Sequence, residues 1–84
     1  MRREESYRGI SKRLAVHYLE NLGGERVDED RVEGDGWRAD LTTEAVDVAG
    51  SISLTEVTVA FEGEEAALDG LVDAFTQKAM RAGG

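Results

Sequence analysis

One imidazole and a few hydroxyls are the whole stock of nucleophiles and bases in this 84-residue chain, which has no cysteine and a single histidine, His17. Without thiols there are no disulfides, no zinc sites of the CxxC kind and no cysteine nucleophile. A lone histidine with no placed carboxylate partner is a poor metal ligand or base, so His17 reads as structural. Ser6, Ser11, Ser51 and Ser53 lack a nucleophile-elbow motif, and one histidine would have to serve all of them. The acidic run Asp28, Glu29, Asp30, Glu33 and Asp35 offers the oxygens that calcium takes, but not the spacing of an EF-hand loop. On a strand Asp28 and Asp30 face one side and Glu29 the other, so the carboxylates diverge and read as a solvated hairpin. The glycines of the segment 32–37 open a strand rather than a helix, which leaves no phosphate-cradling loop. This inventory predicts a protein that is not an enzyme and that holds no metal or cofactor.

Three further groups of residues carry functional readings. Gly83-Gly84 resembles the Gly-Gly end of ubiquitin-like sulfur carriers and modifiers, which an adenylating active site admits and activates at its carboxylate; the competing reading is a helix C-cap with a frayed end. Arg2, Arg3, Arg8, Lys12 and Arg13 stand against Glu4 and Glu5, which gives residues 1–13 a net +3 and the rest −11, within a chain of net −8. That basic edge is either a dock for a carboxylate-rich partner or a set of bases paired with the domain's own acids. Trp37, Phe61, Phe75 and Met80 are either ordinary core or the lining of a small-ligand pocket between the last helix and the sheet.

The elements that must position these residues follow from periodicity. A short edge strand is expected over 4–9, with Tyr7 on its buried face. Ser11 is a fair N-cap for a first helix, in which Ile10, Leu14, Ala15, Tyr18, Leu19 and Leu22 recur at three- and four-residue spacing. Gly23 suits the C′ position that ends it. Residues 26–33 read as one weak, acidic strand, followed by a Gly34-Asp35-Gly36 turn. Trp37, Ala39 and Leu41 alternate with polar residues in a second strand. A turn is expected near Thr43-Glu44, then a strand with Val46 and Val48, and a bend at Gly50-Ser51. Val57, Val59 and Phe61 share one face of the clearest strand, 54–62. Ile52 and Leu54 are out of phase with them, which predicts a bulge or turn near Thr55. The second helix spans about 64–81 and buries Leu68, Leu71, Val72, Phe75, Ala79 and Met80. Gly70 lies mid-helix and would let another element approach closely. The order is strand, helix, four strands, helix: a single α+β domain with an antiparallel sheet and both helices on one face.

Composition sets the surroundings. Eighteen acids outnumber ten bases, and only Lys12 and Lys78 are lysines. Acid excess with scarce lysine suits a proteome bathed in concentrated salt; the rival reading is an acidic surface chosen for a basic partner. Phosphate backbones would meet like charge, so no nucleic-acid partner is expected. No apolar run approaches membrane-spanning length and no signal peptide is visible, so the expected location is cytoplasmic, as a monomer or weak homodimer.

The segments Tyr7–Gly24 and Leu54–Gly84 resemble the C-terminal domain of MoaD-related proteins, relatives of the small sulfur-carrying subunit of molybdopterin synthase, in a halophilic archaeal form. The resemblance implies a TATA-binding-protein-like β-α-β4-α fold with a curved sheet, and a protein partner that is a sulfur carrier or its activating enzyme. The residues that carry the resemblance are expected not to include the carrier half, so the resemblance does not by itself imply sulfur transfer. The expected role is a non-enzymatic accessory or interaction domain. The alternatives are a Gly-Gly-tailed carrier or protein modifier, and a small-ligand-binding domain.

Overall fold

The computed structural model describes residues 1–81. Along the chain run β1 (Arg2–Arg8), α1 (Lys12–Asn21), β2 (Glu25–Asp28), β3 (Arg31–Gly34), β4 (Trp37–Ala49), β5 (Ile52–Gly63) and α2 (Glu65–Arg81). The strands make one open antiparallel sheet in the order β1-β5-β4-β3-β2, so β1, first in sequence, closes one edge by pairing with β5.

Both ends of α1 are set by side-chain and turn chemistry. The Leu14 amide donates to Ser11 Oγ at 3.1 Å, which supplies an acceptor for one of the free donors of the first turn. At the other end Gly23 takes φ +100°, and the amides of Gly23 and Gly24 donate to the Glu20 and Leu19 carbonyls at 3.1 and 2.9 Å. These two bonds form a Schellman cap. Ala15, Val16 and Leu19 are the buried residues of the helix, and Val16 is an addition to the expected stripe.

The strands differ from expectation in three places. Residues 26–33 are two strands, β2 and β3, folded back on each other about Glu29-Asp30. The Asp30 amide donates to Asp28 Oδ1 at 3.0 Å, so an acidic side chain builds the turn that the alternation pattern concealed. No turn occurs at Thr43-Glu44; β4 runs unbroken from Trp37 to Ala49. There is no bulge at Thr55 either: β4 and β5 stay in register from Trp37–Gly63 to Asp47–Ser53, and the shift falls later, between Asp47 and Ala49.

The odd-numbered residues Trp37, Ala39, Leu41, Val57, Val59 and Phe61 are buried beneath the two helices, with Val32 of β3 beside them. From above, α1 adds Ala15, Val16 and Leu19, and α2 adds Leu68, Leu71, Val72, Phe75 and Ala79. Phe75 is the hub. The rings of Tyr7, Phe61 and Tyr18 meet it edge-on at centroid distances of 4.9, 5.8 and 6.1 Å. Aromatic pairs of this geometry each contribute about 0.5–1.5 kcal/mol beyond the area they bury. Thus β1, α1, β5 and α2 are tied at one point.

Trp37 closes the other end of the core. Its indole lies directly on Gly34 and Gly24, where an added Cβ would come within 2.2 and 2.6 Å of ring atoms. Those glycines act as a floor for the ring, beyond marking turns. Gly70 has no such role: nothing lies within 4 Å of the place its Cβ would occupy, so the close approach expected there does not exist. Met80 also departs from the expected buried face of α2 and is 66% exposed.

Candidate functional site

The first candidates to place are the residues singled out for chemistry. His17 is exposed on α1. Ser6 Oγ and Thr58 Oγ1 hydrogen-bond each other at 2.9 Å, Ser11 caps α1, and Ser51 and Ser53 lie exposed at the far end of the β4–β5 hairpin. Among the described residues no three His, Asp or Glu side chains gather in a way that would hold a metal ion. Gly83-Gly84 lies outside the described residues.

The four expected pocket residues do not line one cavity, although the Phe61 and Phe75 rings touch within the core. Phe61 and Phe75 are fully enclosed, Trp37 is core, and Met80 stands outside with Tyr7 beside a shallow depression of about 170 Å³. The phenol of Tyr7 shares a hydrogen bond of 2.9 Å with Thr76 Oγ1, and burial pushes its pKa above the ordinary value near 10.0.

The basic edge separates into three places. Arg2 and Arg8 lie on the outer sheet face, away from the helices, where Arg2 reaches Glu4 at 3.3 Å and Arg8 Nε donates to Glu56 at 2.9 Å. Arg3 points to the helix side, 3.6 Å from Glu5 and 3.5 Å from Asp69 of α2. Lys12 and Arg13 belong to α1; Lys12 pairs with Asp30, and Arg13 makes no ion pair among the described residues. Four of the five bases are therefore engaged with the domain's own acids.

The outer face continues the same pattern. Registry sets Arg2, Glu62, Arg38 and Glu33 in one cross-strand row, and Glu4, Ala60, Asp40 and Arg31 in the next. Arg38 donates to Glu62 at 3.0 Å and Arg31 to Asp40 at 2.7 Å, a contact that raises the Arg31 pKa. Ala60, small among long neighbours, leaves a trough of about 300 Å³ lined by Arg2, Glu4, Asp40, Thr42 and Glu62. Exposed pairs of this kind add little stability each. Their effect is to dress a solvated sheet face in matched charge.

Beyond the row of Arg8 and Glu56 the sheet changes character. β1 stops at Arg8, and β3 follows β4 only as far as Asp40. Residues 43–55 are then a two-stranded arm, paired only with itself by registry, in a molecule whose principal extents are 42 × 23 × 21 Å. No helix of the described residues covers it, and its helix-side residues Thr43, Ala45, Asp47, Ser53 and Thr55 are exposed. The apolar residues have crossed to the outer face: Leu54 opposes Val46 across the strands, and Ile52 follows on the same side. Ile52 and Leu54 are 60% and 40% exposed. At the arm's base Glu44 lies directly opposite Glu56, and Arg8 answers only the latter. Like charges facing each other across a ladder are unfavourable.

The phase break at Leu54 was legible in the sequence. Its cause, a change of buried face where the helices end, was not, because it depends on which strands neighbour the hairpin. No helix among the described residues is long and apolar enough to cross a membrane. The family model described as archaeal MoaD-like protein matches residues 3–84. No curated protein matches the chain significantly.

Proposed function

We propose that this chain, which belongs to the archaeal MoaD-like protein family, is a non-enzymatic interaction domain that docks a protein partner on its β4–β5 arm. The observation that carries this reading is the apolar strip of half-buried Val46 and exposed Leu54 and Ile52, on an arm whose strand edges, beyond the Thr55 carbonyl that accepts from the Gly9 amide, lack neighbours among the described residues. A free edge offers backbone donors and acceptors to an incoming strand, and alternate side chains supply the selectivity. The partner segment is an extended strand with apolar side chains and a basic flank, since Glu44 has no cation partner among the described residues and lies beside the strip. Membership of the family supports a sulfur-carrier protein, or the enzyme that activates one, as the owner of that strand. The matched-charge outer face gives no reason to assign a nucleic acid, whatever the kinship of this element order to a TATA-binding-protein half.

The test is titration calorimetry of the purified chain, in salt matched to its source, against the carrier and the activating enzyme of the same organism. One of the two should bind, and the double variant Val46→Glu, Leu54→Glu should weaken binding more than tenfold while leaving the fold intact. Binding by neither protein, or parental affinity in the double variant, overturns the reading.

A further inference from the structure

We infer that the groove between α1 and β2 is a binding site for a compact phosphate-type oxyanion, on a surface distinct from the arm and independent of the function proposed for it. The groove encloses about 460 Å³, with Lys12, Arg13, His17 and Arg26 along it, Glu20 and Glu29 at its borders, and Val16 beneath. Four nitrogen-bearing side chains thus collect in one hollow of a chain whose net charge is −8.

Of the three groove cations Lys12 pairs with Asp30, while the two arginines have no carboxylate partner among the described residues, a condition shared only with Lys78 and Arg81 on α2. Arg2, Arg3, Arg8, Arg31 and Arg38 each have a carboxylate partner. Arg13 and Arg26 have none among the described residues, although acids outnumber bases eighteen to ten. The hydrogen bond that Arg26 does make, from Nε to the Asp28 carbonyl at 3.1 Å, holds the guanidinium beside the groove and leaves its terminal nitrogens without a protein acceptor among the described residues. Arg13 and His17 are four residues apart on α1, so their side chains are neighbours on one helical face. They also line an adjoining depression with Ser11 and Leu14, of about 430 Å³, and so form a wall shared by two concavities.

Helix polarity points the same way. The first turn of α1 contains Lys12 and Arg13 and no acid. Cations there oppose the positive end of the helix dipole, whereas a bound anion would be favoured both by that end and by the side chains. Two guanidinium groups match the fork geometry of phosphate oxygens, with bonds of the charge-assisted kind. Glu20 and Glu29 limit the occupant. A long polyanion leaving the groove would meet these carboxylates, while a single phosphate or diphosphate fits between the bases.

Inorganic phosphate and pyrophosphate are the probes, titrated into the full chain at constant ionic strength with chloride as the exchanged ion and followed by NMR. Saturable shifts are expected at the side-chain signals of Arg13, His17 and Arg26. The double variant Arg13→Ala, Arg26→Ala should lose at least about tenfold in affinity, the effect of removing about 1.4 kcal/mol of binding free energy. Arg31→Ala, on the opposite sheet face, should bind as the parent does. Shifts spread evenly over all basic residues, no saturation, or unchanged affinity in the double variant would each overturn the inference. The three substitutions in these two variants alter exposed or half-exposed side chains, and circular dichroism checks that both variants fold.

Discussion

At the scale of single residues, Tyr7 and Trp37 carry the sharpest consequences. Burial raises the Tyr7 pKa above its ordinary value near 10.0, so the folded chain holds the phenolic proton more tightly than the unfolded one. The resulting stabilisation is complete below pH 10 and is lost as the pH rises through the raised folded value. Tyr7→Phe should remove this part of the alkaline decline, at a cost of about 1 kcal/mol at neutral pH for the lost Thr76 hydrogen bond. Denaturant titrations at pH 8 and pH 11 measure both; an unchanged alkaline slope would contradict the assignment. Gly34→Ala drives a methyl group into the Trp37 ring and should destabilise by about 1–3 kcal/mol, read from urea unfolding followed by the fluorescence of the single tryptophan. The Ser11 cap and the Gly23 stop were legible in the sequence because they are local hydrogen-bond chemistry. The glycine floor was not: Gly24 and Gly34 read as turn punctuation until folding brings the indole onto them.

Among the elements, α2 and the β4–β5 hairpin show where pattern succeeds and where it misleads. Amphipathic spacing located α2 and most of its buried face, but Gly70 occupies an open side of the helix. Gly70→Ala should therefore stabilise by about 1 kcal/mol, with no steric penalty to offset the gain in helix propensity. In a domain this size the melting temperature should rise by roughly 4–8 °C. A drop would mean that the glycine serves a contact outside the described residues. The hairpin is harder to read. Four strands after the first helix was the right number, reached by the wrong partition: one expected strand is two, and two expected strands are one. Asp28 disguised a turn within an acidic run, while Thr43-Glu44 imitated one within a continuous strand. The burial periodicity that identifies strands holds only as far as the helices cover the sheet, and it reverses at Leu54.

For the whole molecule, charge and shape set the behaviour. A net charge of −8 on 84 residues opposes compaction at low salt. The eight ion pairs of the described residues are exposed or half-exposed and are weakened by the same screening, but they are outweighed by the unpaired acids. Moving from 0.1 M to about 2 M KCl should thus raise the urea midpoint, since screening at molar salt acts within a few ångströms. A falling midpoint would show that the ion pairs dominate instead. On the function proposed, the arm, 43–55, is the surface a protein partner covers. Hydrogen exchange of the backbone amides, with and without the carrier or its activating enzyme bound, separates this arm from every other surface. New protection should concentrate at the outward-facing amides of residues 43–49 and 52–54, with β1, α1 and α2 unchanged. Protection that appears on the helices while the arm keeps exchanging freely would contradict that function.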